Sequence, residues 1–237
     1  MEIITEGHSK IIYAKESPDK ILVYFKDTAT AFHNIKRAKI VGKGLYVNQI
    51  SAILFQYLTD AGIRNHFIKL ADDQSMECLK TDVLPLRVIV RNFAAGSLSS
   101  RFGIKEETPL VEPIYEMTYK SEDLDNPFMN EHIAVALGFV TYNEMTTISD
   151  IAHKANTALS QVFESCDIRL IDFKLEFGRL PGGELIIADE ISPDTCRLVD
   201  IKTGRHLDKD RFRHDMGDII EAYNTVLIRL KQWKNLI

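Results

Sequence analysis

The chain has 237 residues, 45% hydrophobic and 27% charged, the make-up of an ordinary globular protein with room for one large domain or two small ones. Its formal net charge of −5 argues against a nucleic-acid partner, because backbone phosphates call for a basic stripe. The three cysteines show no metal-ligand spacing, and neither a leader-like start nor a long apolar run is present, so a reducing cytoplasm is expected, with no secretory signal and no membrane partner.

In chain order, residues 9–14 and 20–26 predict paired strands around the turn at Ser17-Pro18-Asp19. Before them, Gly7-His8-Ser9-Lys10 sets a lysine three residues after a glycine. Such a turn closes over phosphate in some folds and is a plain surface turn in others. Lys36, Arg37, Lys39 and Lys43 read as a solvated basic face. From Gly44 to Ala61 the apolar residues Leu45, Ile50, Ile53, Leu54, Tyr57 and Leu58 follow helical spacing, and Gly62 stops the run. Residues 65–70, 76–80 and 84–92 are then strand candidates, so the N-terminal part predicts a small α+β unit.

Arg91-Asn92-Phe93-Ala94-Ala95-Gly96-Ser97 follows. Its small residues allow backbone N–H groups to approach an anion, and Arg91 supplies a bidentate charge. A tight strand-to-helix junction capped by Ser97 explains the same residues. Residues 103–130, rich in Glu and Pro, read as a long irregular loop of the kind found at active sites. Residues 147–166 predict an amphipathic helix, and Ile219, Ile220, Tyr223, Val226, Leu227 and Leu230 mark a last helix reaching to about Trp233.

Between those helices lies the most informative stretch. Ile171, Phe173, Leu175 and Phe177 alternate with Asp172, Lys174 and Glu176, which predicts a strand with three charges in a row on one face, each about 6.5–7 Å from the next. Residues 179–183 form a hairpin turn, and the return strand ends in Asp189-Glu190-Ile191-Ser192-Pro193. Such a hairpin can bring Asp189 near Glu176, although the register is not readable from sequence. Two carboxylates beside a lysine suit Mg²⁺ and a polyphosphate. An ordinary antiparallel sheet with one solvated face has the same pattern.

Three segments together resemble the SAICAR synthetase (phosphoribosylaminoimidazole-succinocarboxamide synthase) family of purine biosynthesis. They are Val-Ile-Val-Arg-Asn-Phe-Ala-Ala-Gly-Ser at 88–97, Leu-Ile-Asp-Phe-Lys-Leu-Glu-Phe-Gly at 170–178, and Ala-Asp-Glu-Ile-Ser-Pro-Asp-Thr-Cys-Arg at 188–197. Asp208-Lys-Asp-Arg-Phe-Arg213 and Lys26-Asp-Thr-Ala-Thr-Ala-Phe32 extend the match over essentially the whole chain.

The resemblance implies an α+β, two-lobed fold with an ATP cleft between a small β-rich lobe (1–85) and a larger α/β lobe (86–237). It implies a carbon–nitrogen ligase that joins L-aspartate to the carboxylate of carboxyaminoimidazole ribonucleotide (CAIR), through an acyl phosphate, and releases ADP and phosphate. On the same ground ATP and Mg²⁺ are expected, with Glu176 and Asp189 as metal ligands. Lys174 is expected at the reacting carboxylate and phosphate, and Asp172 at a metal-bound water or the substrate amine. The ribonucleotide phosphate falls to Arg91, Ser97, Arg197 and Arg213. Lys10 falls near the ATP phosphates, the backbone at Pro85 and Leu86 at the adenine edge, and Lys120 and Asp125 on the aspartate or CAIR side. A homodimer is expected by resemblance alone. A kinase-like or other carboxylate–amine ligase and a non-catalytic nucleotide-binding module are the competing readings. The arginines argue against the first, and the intact Lys174, Glu176 and Asp189 against the second.

Two departures from the family pattern matter. His8 stands where members commonly carry a lysine and is not a permanent cation at neutral pH, and Asn126-Pro127 replaces the common Asp-Pro.

Overall fold

The computed structural model describes residues 1–31, 35–121 and 123–235, so Phe32 of the matching segment lies outside them. At the N-terminus β1 (Ile3–Glu6), β2 (Lys10–Ala14) and β3 (Lys20–Phe25) form an antiparallel meander. A separate hairpin, β4 (Thr28–Ala31) with β5 (Lys36–Lys39), precedes helix α1 (Lys43–Asp60). After α1, β6 (Phe67–Leu70) and β7 (Ser75–Leu79) complete a five-stranded sheet in the order β1-β2-β3-β7-β6. The strands at 9–14 and 20–26 and the helix ending at Gly62 match expectation. β1 is an addition to the expected pair: Ile-Ile-Thr-Glu is short and its side chains are exposed at the sheet edge, so it carries no buried alternation to read.

The second sheet holds β8 (Asp82–Phe93), β9 (Pro109–Tyr119), β10 (Phe128–Met129), β11 (Ile168–Arg179), β12 (Leu185–Ala188) and β13 (Cys196–Asp200), in the order β10-β9-β8-β11-β12 with β13 also on β11. β9 corrects the reading of 103–130 as irregular. Its prolines hid an 11-residue strand. They are tolerated because β10 pairs with β9 only at Thr118 and Met117, leaving the proline-bearing half at the sheet edge.

Three helices flank the chain's passage from β8 to β11: α2 (Ser97–Phe102), α3 (Glu131–Ala136) and α4 (Tyr142–Ser165). α4 begins five residues before the apolar pattern does. Thr141 accepts from the Glu144 amide while Glu144 accepts from the Thr141 amide, a reciprocal cap that fixes the start. Its buried face, Met145, Ile148, Ala152, Ala155, Leu159, Val162 and Phe163, lies on the sheet beside β11. After β13 come α5 (Asp210–Arg213) and α6 (Ile219–Lys234), and α6 buries Ala222, Tyr223, Val226, Leu227 and Leu230.

One contiguous core runs from Val23 and Phe25 of the first sheet through Leu54 and Phe55 of α1 to Phe173, Leu175 and Leu230. The expected lobe boundary between residues 85 and 86 falls inside β8.

β11 is the strand that carries the candidate site residues Asp172, Lys174 and Glu176. One of its edges pairs with β8 over most of its length. The other edge changes partner: β13 pairs with Ile168–Phe173 and β12 with Glu176–Arg179. At the change the Lys174 amide donates to the Thr195 carbonyl at 2.9 Å. The connection from Asp189 to Thr195 therefore crosses the middle of β11, between its two partners.

Candidate active site

The register that sequence left open is set by the β11–β12 pairing. Glu176 lies opposite Ala188, so Asp189 emerges one residue further, beside the carboxylate of Glu176. Asp189 leaves the strand in the left-handed backbone region, with φ at 68°. Lys174 joins the two acids: its Nζ is 3.1 Å from Glu176 Oε1 and 3.3 Å from Asp189 Oδ2. Lys10, arriving from β2, pairs with Asp189 and lies 3.0 Å from Glu190 Oε1. Lys120 pairs with the second oxygen of Glu176. Arg87, opposite Glu176 on β8, adds a 3.1 Å contact to Oε1 and donates to Asn126 Oδ1 at 2.6 Å.

The charged row is no solvated face, since Asp172 and Glu176 are only 4% and 2% exposed. Burial pushes the Glu176 carboxyl up and Asp189 adds to that push, but Lys174 and Lys120 outweigh both and hold it below the usual range. Burial likewise opposes ionisation of Asp189, and Lys10, Lys174 and Lys120 overcome it, leaving Asp189 far below an ordinary aspartate. Burial pulls down the ammonium groups of Lys10 and Lys174. Asp189 and Glu190 more than restore Lys10, and Glu176 and Asp189 do the same for Lys174. All four groups are charged at neutral pH.

At the other end of the same strand face, Asp172 lies opposite Arg91 of β8 and Arg197 of β13. Its Oδ2 accepts from Arg91 Nη1 at 2.6 Å and from Arg197 Nη1 at 2.7 Å. Arg91 also donates to Glu116 Oε2 at 2.7 Å, the Ala95 carbonyl at 3.1 Å and Ser97 Oγ at 3.0 Å. Arg197 Nε reaches Asp210 Oδ2 at 2.8 Å, and Arg213 pairs with the other oxygen of Asp210. Arg91, Ser97, Arg197 and Arg213 thus come together, and Asp172 sits among the guanidinium groups. Gly96 makes this possible. Its φ is 55°, and a Cβ there would stand 2.7 Å from Arg197 Nη2. Gly96 is also the residue that caps α2, so Ser97 is not the cap but a partner of Arg91.

The remaining expected residues are less central. Pro85 and Leu86 lie on β8 where the ladder with β11 slips: Glu176 faces Arg87 and Gly178 faces Val83, so residues 84–86 stand off β11. Asp125 is exposed in a turn with φ at 60°, and its neighbour Asn126 is the residue whose side chain accepts from Arg87. Lys43 corrects the reading of a solvated basic cluster. It is 1% exposed and pairs with Asp194, whose other oxygen accepts from Tyr223 at 2.6 Å. Lys36 is also engaged, 2.6 Å from Asp215 and over the Phe212 ring.

Arg87, Glu116, Glu190, Asp194 and Asp210 were not singled out as partners in the site, because charged residues on separate elements leave no periodic trace. His66 is a further case. Its Nε2 lies 2.9 Å from the Asp189 carbonyl, and burial, opposed by Asp189, holds its ring down to about 4. A group of potential metal ligands, His206, Asp208 and Asp210, is committed elsewhere: backbone amides occupy both oxygens of Asp208, and the two arginines those of Asp210.

Comparisons with known proteins identify the family. The family model for SAICAR synthetase matches residues 3–230. The chain is 45% identical over 232 residues to a phosphoribosylaminoimidazole-succinocarboxamide synthase of Clostridium botulinum, covering 98% of this chain and 99% of the relative. It is 46% identical over 233 residues to the synthase of Fusobacterium nucleatum, with 98% of each covered. Among solved structures, the synthase of Ehrlichia chaffeensis superposes with a TM-score of 0.95 at 43% identity over 97% of this chain and 98% of that one. A SAICAR synthetase in complex with ADP gives 0.93 at 44% identity, with 97% of each chain covered. With its charged β11 face, its arginine cluster and relatives of this closeness along nearly its full length, the chain belongs to the SAICAR synthetase family, the ATP-dependent ligases that join aspartate to CAIR in purine biosynthesis.

Proposed function

We propose that the β11 face is the active site of this ligase, with the ATP phosphates at its Glu176 end and the ribonucleotide phosphate at its Asp172 end. The observation that carries the assignment is one strand presenting two chemically distinct ends, about 13 Å apart for four residues of strand. At one end lysines are gathered around paired carboxylates; at the other, arginines around a buried aspartate.

Glu176 and Asp189 fit a hard divalent cation such as Mg²⁺. They are adjacent, anionic and oxygen-only, and the cations neutralising them sit on long stems that can turn to phosphate oxygens. Mg²⁺, when bound there, supplies charge neutralisation for the polyphosphate. Lys10 binds phosphate oxygens, and the backbone at Pro85 and Leu86 receives the adenine edge. Arg91, Arg197, Arg213 and Ser97 anchor the 5′-phosphate of CAIR, which brings the imidazole carboxylate against Lys174.

A carboxylate is a poor electrophile. Its oxygen first attacks the γ-phosphorus, the bond to ADP breaks, and an acyl phosphate forms. Lys174 stabilises charge on the group in transfer. The aspartate amine then attacks the acyl carbon, phosphate leaves, and the nitrogen loses a proton. Lys120 and Asp125 are assigned to the aspartate or CAIR side. The same reading takes residues 1–85 as a lobe covering the nucleotide and 86–237 as the substrate lobe, in a cytoplasmic homodimer.

The test is ADP release with CAIR, aspartate and Mg²⁺ each omitted in turn. Release is expected to require CAIR and Mg²⁺; ADP formation indifferent to CAIR overturns the assignment.

A further inference from the structure

The turn that presents Asp189 is held by a segment outside the β11 face. Residues 64–66 run alongside β12. Asn65 bridges Ile187 in parallel, the Ile187 amide donates to the Arg64 carbonyl at 3.2 Å, and the His66 amide donates to the Ile187 carbonyl at 2.9 Å. The His66 ring continues this line, with Nε2 2.9 Å from the Asp189 carbonyl. A carbonyl only accepts, so Nε2 carries the proton. The residue is 4% exposed and packs edge-on against Phe55 at 5.4 Å, which holds the ring in place.

Asp189 is the residue that needs such a restraint. Its φ of 68° lies where residues other than glycine are uncommon and persist because their surroundings impose the conformation. That same turn sends the carboxylate to Lys10 and Lys174. We propose that His66 is a positioning residue for the divalent-cation site, donating Nε2–H to the Asp189 carbonyl and so fixing the left-handed turn that brings the Asp189 carboxylate beside Glu176. The proposal rests on the assignment of Glu176 and Asp189 as cation ligands. It adds a residue that touches neither cation nor substrate, and it ties the cation site to the chain between α1 and β6.

Mn²⁺, which suits the same carboxylate ligands, is titrated into the full chain without nucleotide and followed by electron paramagnetic resonance. Wild type, Asp189→Asn, His66→Phe and His66→Gln are compared, and KM for CAIR is measured in parallel. Asp189→Asn is expected to lose Mn²⁺ binding. His66→Phe keeps the ring volume without the donor and is expected to weaken Mn²⁺ by about tenfold, within the range for residues that orient a metal ligand. His66→Gln restores an N–H and recovers most of that loss. KM for CAIR stays unchanged, because the arginine end is not involved.

Wild-type Mn²⁺ affinity in His66→Phe, with Asp189→Asn impaired, overturns the role of His66. So does a parallel loss of Mn²⁺ and CAIR binding, which marks general destabilisation. Wild-type affinity in Asp189→Asn overturns the cation assignment instead. If His66→Phe does not fold, the decision passes to His66→Gln and His66→Asn, whose shorter amide cannot span to the carbonyl. Equal Mn²⁺ affinity in these two then refutes the proposal.

Discussion

Replacing Asp172 by Asn separates its two possible roles. The side chain is 4% exposed, and its Oδ2 accepts charged hydrogen bonds at 2.6 Å from Arg91 and 2.7 Å from Arg197. Hydrogen bonds to charged groups contribute about 1.5–3 kcal/mol each. Both bonds fall on Oδ2, so an asparagine with its amide oxygen there keeps both geometries but loses the charge, leaving two bonds to a neutral acceptor at about 0.5–1.5 kcal/mol each. A net loss of about 2–3 kcal/mol in holding the two guanidinium groups follows, which is about 30- to 150-fold in an equilibrium. A bound phosphate recovers some of this by accepting from the same guanidinium groups. Steady-state kinetics of Asp172→Asn should therefore show KM for CAIR raised about ten- to a hundredfold, with kcat within about threefold of wild type. Thermal melts should show destabilisation that CAIR partly reverses. A collapse of kcat with KM unchanged refutes this reasoning and puts Asp172 at the reacting centre, as the family resemblance had implied.

Three further outcomes follow from the geometry. Glu176→Gln leaves three cations, Lys174, Lys120 and Arg87, around a neutral amide; Mg²⁺-dependent turnover should fall by orders of magnitude with the circular dichroism spectrum unchanged, and a near-normal rate removes Glu176 from the cation site. Gly96→Ala puts a methyl 2.7 Å from Arg197 Nη2 on a backbone with φ at 55°, so KM for CAIR should rise while Mn²⁺ affinity holds; an unchanged KM means Arg197 does not need that space. Glu144 is held down to about 2, first by its hydrogen bonds from Arg179. A carboxyl depressed in the folded state stabilises fully above its unfolded value, near 4.5, and loses that contribution as pH falls through about 2. With the pair about a quarter exposed, solvent screening discounts the effect to about 1–2 kcal/mol at pH 7. Urea melts should show Glu144→Gln, which keeps the helix cap, less stable by that amount at pH 7 and by less than half of it at pH 3. A gap independent of pH refutes the ion-pair account.

What the sequence determined by itself was local or carried by a contiguous motif. Alternation along 171–177 and the Pro-Gly-Gly turn specify the β11–β12 hairpin, because side-chain period and turn chemistry are properties of neighbouring residues. The same holds for α1, bounded by Gly62, and for the motif at 91–97. β9 stayed hidden because its tolerance of proline depends on the shortness of β10, a partner nine residues further on. Only the tertiary structure decided how the charges are used. The Glu176–Ala188 register places Asp189 beside Glu176, and no property of either strand alone sets that register. The pairing of β11 with β8 and β13 sets Asp172 between Arg91 and Arg197. Lys43 shows the same limit. In sequence it belongs to a run of basic residues; in the fold it is buried on Asp194 beneath Tyr223 of the last helix. A charge does not encode its own partner. The fold supplies one by excluding water around it, and along β11 that exclusion turns an alternating row of charges into a buried, paired network.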